Sequence, residues 1–145
     1  MLVKDFMHTN VLQIQPHASL REAAEIMLAN RVDAIVIEGE DGTLQGVVGL
    51  RDLFTAPIPA HYGNPMFRHE NENQLLEVWA TVTVQNLMND KVLSVSEDTT
   101  LMRALELMVN TGKHPLPVLR DGRVVGIISR SDIARAVLAQ SMKSP

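Results

Sequence analysis

The chain has 145 residues, 46% of them hydrophobic, and a formal net charge of -4, which suits one ordinary domain with a proper core and no covalent staple. It contains no cysteine, so disulfide frameworks, thiolate zinc sites and a cysteine nucleophile are excluded. Its acidic balance and lack of any Lys/Arg cluster argue against nucleic acid as a partner.

The first residues, Met1 to Phe6, include an acid and lead into no long apolar stretch, which is not the pattern of a signal peptide. Apolar runs such as 34–37 fall far below the roughly 20 residues a membrane helix needs. A soluble, cytoplasmic protein without membrane contact is expected.

In chain order, Val3-Lys4-Asp5-Phe6-Met7 precedes a short apolar run at 11–14. Leu20, Ala23, Ala24, Met27 and Leu28 then follow at i, i+3, i+4, i+7 and i+8, predicting a helix with one buried stripe. Ser19 with Glu22 reads as its capping box and Asn30 as its stop. Runs at 34–37 and 44–48 flank Asp41-Gly42 and predict a hairpin, and a closing helix starts near Asp52.

The same order returns further on. Val84-Gln85-Asn86-Leu87-Met88 precedes a run at 92–95, and Thr100 caps a helix carrying Leu101, Ala104, Leu105, Met108 and Val109, with Gly112 as its stop. Runs at 116–119 and 124–128 flank Asp121-Gly122, and a last helix begins near Asp132. Each return strand holds a glycine, Gly46 or Gly126, and a glycine inside a strand marks a bulge or a close approach to its backbone. The chain is therefore an internal duplication, each copy reading β-α-β-β-α. A copy of this size covers one side of a small sheet, so the expectation is an α/β (α+β) fold of two copies packed sheet to sheet with pseudo-twofold symmetry and a cleft between equivalent loops.

Residues 1–56 form the first copy, 57–82 a connector, 83–141 the second copy and 142–145 a tail. The connector carries Pro57, Pro59 and Pro65 together with Tyr62, Phe67 and Trp79, which is too aromatic for a solvated linker. Residues 74–80 are expected to form a short docking helix. His61 and His69 beside Glu70 and Glu72 lack any metal-ligand spacing, so no metal site is assigned. No nucleophile elbow, phosphate loop or dinucleotide glycine pattern occurs, and no catalytic residue is named.

The duplicated pattern resembles the CBS-domain pair, or Bateman module. The resemblance rests on Met7 and Met88 before the first strands, the Leu-x-x-Ala helices, Leu116-Pro117-Val118, the Asp-Gly turns and Gly126-Ile127-Ile128-Ser129-Arg130-Ser131-Asp132. The last stretch matches the family's ribose-recognition pattern. The resemblance implies a non-catalytic regulatory module that binds AMP, ADP, ATP or S-adenosylmethionine between its repeats, needs no cofactor, forms a homodimer and acts on an effector protein in trans. The competing reading is a dimerisation and interaction module with degenerate nucleotide sites.

By that resemblance Asp132 receives the ribose hydroxyls and Ser129 donates to a sugar or phosphate oxygen, since charge-assisted bonds to a carboxylate are the stronger kind. Ser-x-x-Asp is equally the arrangement of an ordinary helix cap, and both roles can coexist. His114, Lys113 and Arg130 are phosphate-side cations or simply solvated side chains. Val92, Leu116, Pro117 and Ile127 are the apolar residues for an adenine slot, with core packing the competing duty of Leu116 and Ile127. In the first copy Gly46-Val47-Val48-Gly49-Leu50-Arg51-Asp52 keeps the acid but has Gly49 in place of the hydroxyl. Asp52, Arg31 and Arg51 thus mark a second, weaker site.

Overall fold

The duplicated pattern folds twice into the same small sheet. The computed structural model describes residues 1–55, 71–87 and 92–142. In the first copy β1 (Gln13–Ile14) leads through α1 (Leu20–Ala29) to β2 (Ala34–Glu38) and β3 (Leu44–Gly49), followed by the four-residue α2 (Asp52–Thr55). After the connector helix α3 (Glu72–Thr81) the second copy repeats this as β4 (Val95–Ser96), α4 (Leu101–Thr111), β5 (Leu116–Arg120), β6 (Arg123–Ile128) and α5 (Arg130–Ser141). The sheets have orders β1-β2-β3 and β4-β5-β6. In each the first pair is parallel, with a helix as the crossover, while β5 and β6 run antiparallel.

The helices start where their hydroxyls stand. Ser19 accepts from the Glu22 N–H at 3.1 Å and Thr100 from the Arg103 N–H at 3.2 Å. Each bond satisfies a donor that the first helical turn leaves without a partner. We expect Thr100→Ala to lower stability in urea unfolding by about 1 kcal/mol. Gly112 ends α4 in the left-handed conformation (φ 71°), but Asn30 does not, and the next residue, Arg31, takes the positive φ of 55° instead.

The predicted stripes are buried at four positions in α1, whereas Leu28 is 66% exposed and its counterpart Val109 72%. Eight residues along a helix is a rotation of about 80° from the stripe's first member, enough to bring that position to the stripe's edge. The two Asp-Gly turns also differ. Asp121 (φ 51°) and Gly122 (φ 80°) join paired Arg120 and Arg123 as a two-residue turn of the twist hairpins favour. In the first copy five residues, 39–43, separate β2 from β3, and only Gly42 has positive φ.

Two compact units result, and each draws on both halves of the chain. One contains Met1–Val11, Gly42–Leu44 and Val92–Pro145, the other Leu12–Asp41 and Gln45–Lys91. The first is built on Val3, Leu101, Met108, Leu116, Val118, Ile128 and Ile133; the second on Leu20, Met27, Ile35, Ile37, Val48, Leu53, Val78 and Val84. Val3 and Val84, equivalent residues of the two copies, are both completely buried, each in the unit built around the other copy's strands.

The predicted connector helix is α3, which starts at Glu72 under an Asn71 cap. It buries Val78, and its Trp79 indole N–H donates to the Leu53 carbonyl at 3.1 Å while meeting Phe54 edge-on at 5.5 Å between ring centres. Tyr62, Phe67, His61 and His69 lie outside the described residues. Among the described residues no helix is long and apolar enough to cross a membrane.

Candidate functional site

The junction of β6 and α5 concentrates the polar chemistry of its unit. β6 ends with Ile128 in the core, the chain turns at Ser129, and α5 begins at Arg130, which puts Asp132 on the first helical turn. Asp132 is the buried charged residue of the described chain, only 2% exposed.

A buried carboxylate is tolerated when its acceptor sites are filled, and here they are. Oδ2 accepts from the Ser129 N–H at 2.8 Å and from the Ser129 hydroxyl at 2.9 Å, while Ser129 Oγ accepts in turn from the Asp132 N–H at 3.2 Å. This is a reciprocal capping box. Oδ1 accepts from Arg135 Nη2 at 2.6 Å and lies 2.7 Å from His8 Nε2, an ion-pair contact. Burial pushes the carboxyl pKa up, but the two Ser129 donors, the Arg135 guanidinium and His8 outweigh it and hold Asp132 below the ordinary aspartate value. The carboxylate is therefore ionised at neutral pH, with two exposed side chains on its outer oxygen.

His8 reaches this place because the N-terminal segment docks on β6 through an isolated antiparallel bridge between His8 and Ile127. The His8 N–H donates to the Ile127 carbonyl and the Ile127 N–H to the His8 carbonyl, each at 2.9 Å. Gly126 makes that approach possible: a Cβ there would stand 2.9 Å from the His8 carbonyl oxygen and 2.6 Å from Met7 Sδ. The close backbone approach expected at this glycine is thus made by the start of the chain.

The other expected residues of the second copy fall into two groups. Lys113 and His114 are exposed on the loop after α4, and Arg130 is exposed at the first position of α5. Leu116 and Pro117 are buried in β5, with Leu116 in the core cluster. Ile127 is half-buried, its backbone paired with Pro117 on one side and His8 on the other. Val92 is half-buried ahead of β4, which begins only at Val95.

The first copy holds half of the same device. The Gly49 N–H donates to Asp52 Oδ2 at 2.8 Å, as Ser129 N–H does to Asp132, but glycine supplies no hydroxyl. A Cβ at Gly49 would meet the Asp33 carbonyl and Asp52 Oδ2 at 3.5 Å, ordinary contact distances, so a side chain is not excluded there by space. Arg31 and Arg51 are both exposed.

Two residues at this site escaped the sequence reading. Arg135 lies at i+3 from Asp132, a spacing that does bring helical side chains together and could have been read. His8 had no such signal, because it stands at the opposite end of the chain. Among the described residues no cluster of three or more metal-ligating side chains occurs.

Comparison with known proteins follows the same division of the chain. A family model described as "CBS domain" matches residues 3–58 and again 84–139. A CBS domain-containing protein of Dictyostelium discoideum is 29% identical over 133 residues, covering 91% of this chain and 88% of its own. Among solved structures, the CBS-pair protein CBSX2 of Arabidopsis thaliana superposes with a TM-score of 0.81 at 28% identity, covering 99% of this chain and 98% of its own. CBSX2 in complex with AMP gives a TM-score of 0.76 at 27% identity, covering 97% and 98%.

Proposed function

Because the chain belongs to the CBS-domain family as a tandem pair, we propose that it is a non-catalytic regulatory module that takes an adenosine-type nucleotide at the β6–α5 turn. The observation that carries this reading is Asp132: an ionised carboxylate on the first turn of a helix, beside exposed basic side chains, in a chain similar along its length to one solved with AMP. AMP, ADP, ATP and S-adenosylmethionine share the ribose diol such a carboxylate would bind, with the first N–H groups of α5 close by for an anion. A sugar or phosphate oxygen would receive the Ser129 hydroxyl only in exchange for its present bond to Asp132. In this proposal Ile127, Val92 and Pro117 border the base, and His114, Lys113 and Arg130 stand on the phosphate side. Leu116, being core, supports the slot from behind.

Asp52, with Arg31 and Arg51, is proposed as the weaker site, since its turn has only the backbone donor of Gly49. Signalling would follow from a difference in ligand affinity between two arrangements of the protein, read by an effector in trans. A homodimer is part of the proposal. Met102 and Val109 on α4 and Val137 and Leu138 on α5 are each more than half exposed, and a second copy is the partner this reading assigns to them. A structural module with degenerate sites is the alternative that Gly49 favours.

Thermal melting with AMP, ATP and S-adenosylmethionine separates the two readings. A ligand at 100 times its dissociation constant adds about 2.7 kcal/mol of stability, a shift of several degrees in melting temperature. Asp132→Ala should abolish that shift and Asp52→Ala should reduce it less. No shift with any of the three ligands would leave the structural module standing.

A further inference from the structure

We infer that His8 and Arg135 are exchangeable occupants of Asp132, and that they make the site select adenosine ligands bearing a phosphate over those without one. The inference rests on the proposal that Asp132 is the ribose anchor.

A carboxylate offers about four acceptor directions, and around Asp132 little room is left: Oδ2 accepts from the N–H and hydroxyl of Ser129, Oδ1 accepts from Arg135, and His8 Nε2 stands 2.7 Å from Oδ1. The Ser129 bonds belong to the capping box and are bound up with the helix start. A ribose diol, which brings two donors of its own, can therefore enter only by displacing the bonds at Oδ1. The displaced groups are suited to leave, since their side chains are 61% and 63% exposed and each can turn into water.

Displacement has a cost that depends on the ligand. A neutral nucleoside takes the carboxylate away from a guanidinium and an imidazole and returns nothing to them. In this inference the phosphate of a nucleotide takes over the same two side chains, in addition to the cations already assigned to it, so contacts with the carboxylate become contacts with phosphate, a partner that guanidinium matches in both charge and shape. A sulfonium ligand brings positive charge toward two basic groups and is disfavoured for the same reason. The pair belongs to the Asp132 site: when the two copies are aligned in sequence, Asn89 matches His8, and Thr55, three residues after Asp52, matches Arg135. Selection by phosphate is thus a property of the Asp132 site alone.

The test is calorimetric titration of the full chain with AMP and with adenosine, comparing wild type, the His8→Ala/Arg135→Gln double variant and Arg135→Lys. Both side chains are exposed, so the variants keep the core intact. We expect wild type to prefer AMP, and the double variant to lose about tenfold or more of that preference, through weaker AMP binding with adenosine binding unchanged or tighter. Arg135→Lys, which keeps the charge, should retain most of it. An equal AMP-to-adenosine ratio in wild type and double variant would overturn this inference while leaving the proposed function intact. Failure of wild type and variants alike to bind AMP or adenosine would overturn this inference, and failure to bind ATP and S-adenosylmethionine as well would overturn the proposed function with it.

Discussion

Gly126→Val is expected to cost about 3 kcal/mol of unfolding free energy and to release the N-terminal segment from its bridge to β6. Gly126 is not held by backbone strain. The constraint is contact, since even a Cβ falls 2.9 Å from the His8 carbonyl and 2.6 Å from Met7 Sδ. The methionine end can swing aside, but the carbonyl is fixed by the pair of 2.9 Å bonds between His8 and Ile127. Relief therefore requires residues 7 and 8 to lift away, which breaks those bonds and loosens Val3, a fully buried member of the same core. Urea unfolding measures the loss, and faster amide exchange at His8 and Ile127 locates it. Exchange unchanged at these two amides would mean that the segment does not depend on the glycine.

Asp132→Ala is the second large effect, expected at about 2–3 kcal/mol before any ligand is considered. His8 and Arg135 are exposed and rehydrate once their acceptor is gone. The Ser129 N–H loses its partner at the junction of strand and helix, and this donor carries most of the cost.

The same residue sets a pH dependence. Its native pKa lies below the ordinary aspartate value of about 3.9, so at low pH the unfolded chain takes up this proton before the folded chain does, and stability rises with pH in that range. The contribution is fully present above about pH 4 and is lost as pH falls through the depressed native value. Asp132→Asn should flatten the wild-type loss of stability below pH 4, measured as urea midpoints at successive pH values. A variant profile parallel to wild type would show that other carboxylates carry the acid sensitivity.

Local patterns in the chain announce most of the secondary structure. Apolar spacing marks α1 and α4, and Ser19, Thr100 and Gly112 bracket them for reasons internal to a few consecutive residues. Asp121-Gly122 marks its hairpin for the same kind of reason. The hairpin between 34–37 and 44–48 also forms, through a five-residue loop; where the reading missed, as at the exposed Leu28, the outcome depended on how far around the helix a neighbour reaches.

The duplication, its β-α-β-β-α order and the singular position of Ser129 and Asp132 could all be worked out before any coordinates, because periodicity, capping and repetition act over short stretches of chain. Which leading segment joins which sheet could not. Val3 to Met7 and Val84 to Met88 carry nearly the same apolar pattern, so either could serve either sheet, and the choice belongs to packing across the whole molecule. That choice carries His8 to Asp132 and gives Gly126 its purpose, turning a helix cap into a carboxylate with exchangeable partners.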